Sequence, residues 1–212
     1  MPTKIKFCGL SRPEDIAAAA VLRPDYIGFV FAKKSRRYVT RKLAKDLRKR
    51  LEAMQIKMYG VLSTSVVGVF VNEPVSGVAK LLNDGVIDIA QLHGSEDEDY
   101  IASLRELTDK PIIKAFRIDT KEDTEKARAS GADLILLDSG SGGTGTAFDW
   151  QLLVGMDRDY ILAGGLDPDN VAEAVSTLHP FGVDVSSGIE TDGHKDAAKM
   201  KAFAKAVKEE NI

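Results

Sequence analysis

Short apolar runs rich in β-branched and aromatic residues recur along this chain, with longer stretches of helical period between them. That alternation allows few folds, because strands separated by helices must pair in parallel and be covered on their faces. The runs expected to form strands are Ile5 to Cys8, Tyr26 to Phe31, Val66 to Val71, Ile87 to Leu92, Ile112 to Phe116, Leu134 to Asp138, Tyr160 to Ala163 and Val183 to Ser186. Val61 and Leu62 could begin the third strand or belong to a loop before it. Helix starts are expected at Ser11 before Arg12-Pro13-Glu14, and at Thr40 before the run from Arg41 to Met54. Others fall at Asn72 before Glu73-Pro74, Ser95 before Glu96-Asp97-Glu98, and Thr120 before Lys121-Glu122-Asp123. Small polar side chains cap free N–H groups, proline suits the first turn, and acids there complement the helix dipole.

Eight strands, each followed by a helix, within 212 residues predict an α/β fold: a (β/α)8 TIM barrel formed by one domain over residues 1–212. An open, doubly wound sheet is the rival. It would normally carry a glycine fingerprint after its first strand, whereas KFCGLSRPED has a single glycine in that turn. Composition narrows the function classes. At 44% hydrophobic and 29% charged residues the chain is a folded body rather than a disordered one, and its one cysteine calls for no oxidising compartment. A cytosolic protein is expected. Every apolar stretch is broken by charge or proline before a membrane-spanning length, and the net charge of -3 comes with scattered lysines and arginines. Neither a membrane nor a nucleic-acid partner is expected. Histidines at 93, 179 and 194 with one cysteine give no metal-ligand spacing, so no metal is expected.

In such barrels chemistry sits where the loops after the strands converge. Strand ends therefore supply the candidates: Cys8, Gln91, His93, Asp138, Ser186 and Ser187. Asp138 follows the apolar run LILL and precedes SGSGGTG, so partial desolvation is expected to raise its pKa into a range useful for a general acid. Cys8 stands beside Gly9 at the same mouth, where a thiol needs only modest electropositive help to ionise and serve as a base or a nucleophile. Ordinary structural roles exist for both: a buried small side chain for Cys8, a loop cap for Asp138.

The stretches GGTG with Gly143, AGGLDPDN with Gly164 and Gly165, and DVSSGIET with Ser187 and Gly188 bring small residues to the ends of strands six, seven and eight. The last two coincide with the usual phosphate site of the barrel, where free N–H groups bind anions. Arg37, in KKSRRYV, can clamp a carboxylate through two parallel hydrogen bonds. Gln91 and His93 in AQLHG are further candidate substrate contacts.

Taken in order and at their spacing, KFCGLSRPED, GFVFAKKSRRYV, GVFVNEP, AQLHG, LLDSGSGGTGTAFDW, LAGGLDPDNV and GVDVSSGIET closely resemble the phosphoribosylanthranilate isomerase family of tryptophan biosynthesis. The resemblance runs through nearly the whole chain. It implies a cofactor-free Amadori rearrangement of N-(5-phosphoribosyl)anthranilate to 1-(o-carboxyphenylamino)-1-deoxyribulose 5-phosphate, by a monomer or homodimer. By motif, Cys8 would be the general base, Asp138 the general acid, and Arg37 the holder of the anthranilate carboxylate. Gly165 and the Ser187-Gly188 turn would hold the phosphate. The family commonly has isoleucine where Phe7 stands and threonine where Ser11 stands. Phe7 should point into packing if strand alternation holds, which leaves the chemistry untouched. Two rivals remain. A histidine-pathway aminoaldose isomerase usually runs the same rearrangement with two aspartates, which Cys8 argues against; a phosphate-binding barrel without catalysis would have no use for both Cys8 and Asp138.

Overall fold

Eight strands follow one another around a ring: β1 (Lys4–Cys8), β2 (Tyr26–Val30), β3 (Ser65–Phe70), β4 (Ile89–Leu92), β5 (Ile112–Arg117), β6 (Leu134–Asp138), β7 (Tyr160–Ala163) and β8 (Gly182–Val185). Each pairs in parallel with the next, and β8 returns to β1 through registers such as Phe7 opposite Val185, closing the barrel. The computed structural model describes residues 2–138, 150–153 and 155–210. The expected strands stand within two residues of their positions, and Val61 and Leu62 belong to the loop before β3.

Alternation along each strand divides the apolar residues into two layers. Outward-facing Ile5 and Phe7 join the layer between barrel and helices, and Phe7 meets Phe203 edge-on at 6.3 Å between ring centroids. Phe7 thus points away from the mouth, as expected. Inward-facing Val67, Ile113, Leu136 and Ile161, with Ala115 and Ala163, fill the interior.

The covering helices are α1 (Pro13–Leu22), α2 (Arg41–Tyr59), α3 (Val75–Asn83), α4 (Glu98–Arg105), α5 (Lys121–Ala129), α6 (Val171–Leu178) and α7 (Ala197–Glu209). Thr40 and Thr120 cap α2 and α5 through their hydroxyls, as the sequence predicts. The other three starts are corrected. Helix α1 begins after Arg12, because the Asp15 carboxylate takes the N–H groups of Ser11 and Arg12 and leaves the Ser11 hydroxyl no capping task. Asn72 and Ser95 are diverted to each other: Asn72 Oδ1 accepts from both the backbone N–H and the hydroxyl of Ser95, tying the loop after β3 to the loop after β4. Consequently α3 starts after Pro74, and Asp97 caps α4.

A second correction concerns β6. Among the described residues it is followed by a short 3-10 turn, Trp150–Leu153, rather than an α-helix. The apolar segment there is brief and runs into Gly155, whose φ of 85° ends helical geometry. After β8 the chain makes a two-stranded ribbon, β9 (Glu190–Thr191) and β10 (His194–Lys195), before Asp196 caps α7. Among the described residues no helix is long and apolar enough to cross a membrane.

Candidate active site

The C-terminal ends of the strands surround a cavity of about 500 Å³. Cys8, Arg37, Gln91, His93, Asp138, Gly164, Gly165 and Ser187 all line it, so residues scattered through the sequence meet at one mouth. Gly188 does not line it, and Gly143 lies outside the described residues. Cys8 on β1 and Asp138 on β6 are separated on the ring by β8 and β7 and share the cavity.

Cys8 is buried at 8% exposure and points inward from the end of β1. Its environment corrects the expectation of an easily ionised thiol. Burial pushes the thiol up from its ordinary value and the Asp184 carboxylate adds to this, while Lys6 and Lys195 pull in the opposite direction without winning. Burial thus disfavours the thiolate, and the two lysines favour it.

Gly9 follows with φ 76°, and a Cβ there would stand 2.4 Å from Arg37 Cδ. Its bare backbone lets the Arg37 side chain cross the first loop. The guanidinium then makes a two-point bond to Glu190, Nε to Oε1 at 2.6 Å and Nη2 to Oε2 at 2.9 Å. Sequence reasoning pictured both prongs holding a substrate carboxylate. The observed grip occupies that edge and leaves Nη1 as the remaining corner. Glu190 also receives Lys195 Nζ at 2.8 Å. Burial alone would raise the Glu190 carboxyl, but Arg37 and Lys195 hold it down at about 2.

On the opposite side, His93 Nε2 lies 3.5 Å from Asp138 Oδ2, and both side chains are about one-third exposed. Gln91 Nε2 is 2.9 Å from His93 Nδ1. With the amide nitrogen donating, the His93 proton sits on Nε2 and faces the Asp138 carboxyl group. Gln91 is buried, and its Oε1 has no hydrogen-bond partner among the described residues. On the outward face of β5, between inward-facing Ile113 and Ala115, Lys114 Nζ donates to the carbonyl of Gly94 at 2.8 Å and pairs with Glu96, which itself accepts from the N–H groups of Asn72 and Gly94. Lys114 and Glu96 thereby fix the loop bearing His93. Glu96 follows His93 by three residues and reads as part of a helix start; its burial, and that of Lys114, is the signal that sequence could not offer.

Gly164 and Gly165 follow β7 with φ of 92° and 66°. Gly188 serves closure of the site: a Cβ on it would stand 2.0 Å from the carbonyl oxygen of Leu166. Only a bare backbone lets the loops after β7 and β8 touch, which brings Gly165 and Ser187 to one wall of the cavity.

Fold and cavity define a (β/α)8-barrel enzyme with ionisable groups at its C-terminal mouth. The family model described as N-(5'phosphoribosyl)anthranilate (PRA) isomerase matches residues 5–206. An N-(5'-phosphoribosyl)anthranilate isomerase from Thermoanaerobacter sp. (strain X514) is 44% identical over 97% of this chain and 98% of its own. The phosphoribosyl anthranilate isomerase of Thermotoga maritima superposes with a TM-score of 0.83 at 33% identity, covering 98% of this chain and 99% of that one. A further such isomerase, solved in complex with reduced 1-(o-carboxyphenylamino)-1-deoxyribulose 5-phosphate, superposes with a TM-score of 0.80 at 32% identity over 98% of this chain and 99% of its own. The chain belongs to the N-(5'-phosphoribosyl)anthranilate isomerase family.

Proposed function

We propose that this protein isomerises N-(5'-phosphoribosyl)anthranilate to 1-(o-carboxyphenylamino)-1-deoxyribulose 5-phosphate, the Amadori step of tryptophan biosynthesis, by acid–base catalysis at the barrel mouth. The carrying observation is that a thiol and a carboxyl, Cys8 and Asp138, line one cavity in a member of this family. The Asp138 carboxyl gives its proton to the ribose ring oxygen as the bond from that oxygen to C1 breaks and the nitrogen lone pair forms the iminium. Cys8, as thiolate, then removes the proton from C2, and the electron pair of that bond neutralises the iminium to an enolamine. Return of a proton to C1 and loss of the enol proton give the ketone. Protons are exchanged and bonds relocated within one molecule, so the balance closes without an added oxidant or reductant.

The other side chains fit around these steps. Nη1 of Arg37 holds the anthranilate carboxylate, and Glu190 fixes the guanidinium plane. Backbone N–H groups at Gly164, Gly165 and Ser187 receive the phosphate. The His93 Nε2–H faces Asp138 and, with Gln91, borders the anthranilate or sugar. The phosphorylated ligand of the co-complexed relative supports this reading of the cavity. The protein works in the cytosol as a monomer or homodimer; the Thermotoga maritima relative is described as dimeric.

Disappearance of substrate fluorescence on turnover tests the proposal. Purified wild-type protein is expected to consume the substrate, and Cys8→Ala and Asp138→Asn are each expected to lose about 10²- to 10⁴-fold in kcat while remaining folded by circular dichroism. Near wild-type turnover in either variant removes that residue from the mechanism.

A further inference from the structure

Lys6 is buried at 1% exposure on the inward face of β1, one layer beneath Cys8. An ammonium there costs stability unless it is paired. Its Nζ donates to Asp184 Oδ1 of β8 at 2.7 Å, across 178 residues of sequence. Pairing explains how the charge is tolerated, but apolar side chains would fill the same space, as they do elsewhere in this interior. The reason for a charge lies in the third neighbour. On β2, opposite Cys8 in register, stands Gly28, and a Cβ there would be 2.9 Å from Cys8 Sγ and 3.3 Å from Lys6 Nζ. Glycine at that position leaves the space in which sulfur and ammonium sit side by side.

The charged groups around Cys8 come from three elements. Lys6 shares its strand, Asp184 faces it from β8, and Lys195 approaches from β10 with its charge shared with Glu190, which is also gripped by Arg37. Strand β2 contributes Gly28 and no charge. Burial tends to discharge Lys6, but the Asp184 carboxylate and the Cys8 sulfur outweigh it and keep the amine protonated. Of the groups that oppose the raised thiol, Lys6 is the strongest.

We propose that Lys6 is a positioning residue for the base: its ammonium, kept charged by Asp184, stabilises the thiolate of Cys8 that accepts the substrate proton. The inference rests on Cys8 acting as the base, yet the state of the thiol can be measured without turnover. Cys8 is the single cysteine, so alkylation of the intact protein by iodoacetamide reports that sulfur alone. The midpoint of alkylation rate against pH is expected to rise by about one unit in Lys6→Met, a roughly tenfold slower reaction at neutral pH. In Lys6→Met/Asp184→Asn, where the stranded carboxylate is also removed, the midpoint is expected to fall between Lys6→Met and wild type. Because Lys6→Met strands a buried charge, its fold is checked by circular dichroism; should it unfold, the uncharged, similarly shaped double variant carries the test. A folded variant whose midpoint equals or lies below that of wild type overturns the proposal. Failure of the base assignment is distinguishable: an active Cys8→Ala with the alkylation order intact discards Cys8 from the reaction and keeps the Lys6–Cys8 coupling. An inactive Cys8→Ala with no alkylation shift keeps the base and discards Lys6.

Discussion

Two sectors of the barrel interior are built on opposite principles. On β3, β5, β6 and β7 the inward residues below the mouth include Val67, Ile113, Leu136 and Ile161, all at 1% exposure or less. From β8 to β1 the same level holds Asp184 and Lys6, a paired carboxylate and ammonium. The apolar sector stabilises the barrel by area removed from water and by dispersion contacts. The ionic sector gains little stability, because desolvating two charges offsets most of their attraction. The difference lies in what stands above each. Over the ionic sector is Cys8, whose thiolate is disfavoured by burial and required by the proposed base step. Cys8 thus stands over the ionic sector, while Asp138, at the end of β6, stands over the apolar one.

Three variants sharpen that contrast. Ile161→Ala, in the apolar sector, is expected to cost about 2–5 kcal/mol of unfolding free energy in denaturant titration and to leave the alkylation midpoint of Cys8 where it was. Lys6→Met/Asp184→Asn, in the ionic sector, is expected to be neutral or to gain about 1–4 kcal/mol while turnover falls, and a matching loss of stability would erase the distinction between the sectors. The most strongly pH-dependent effect is expected in Glu190→Gln. The Glu190 carboxyl is held down at about 2 from an ordinary 4.5, so its ion pairs contribute in full above 4.5 and that contribution is lost as pH falls toward 2. The stability gap between wild type and Glu190→Gln should be constant at neutral pH and close on acidification, measured as unfolding midpoints across that window.

Most of the barrel was legible in the sequence because buried parallel strands announce themselves as apolar runs, and because a strand end at the mouth is a position in the chain as well as in space. Cys8, Gln91, His93, Asp138, Gly164, Gly165 and Ser187 reach one cavity for that reason. Relations between distant segments were not legible. Asn72 and Ser95 each look like helix caps until the fold places their side chains together. Arg37 reads as an open cation until Glu190 arrives from β9. Lys6 falls inside the first expected strand with nothing nearby in the sequence to pair it, and only barrel closure sets it against Asp184. The direction of the thiol shift was missed because burial, the dominant cause, belongs to the assembled fold.

The division of labour between Cys8 and Asp138 is tested most directly by single-turnover kinetics with substrate deuterated at C2 of the sugar. Cys8→Ser should be slowed in proton abstraction and show a primary isotope effect, while Asp138→Asn should be slowed in ring opening and show none. An isotope effect confined to Asp138→Asn, or equal in both variants, would contradict the assignment of base to Cys8 and acid to Asp138.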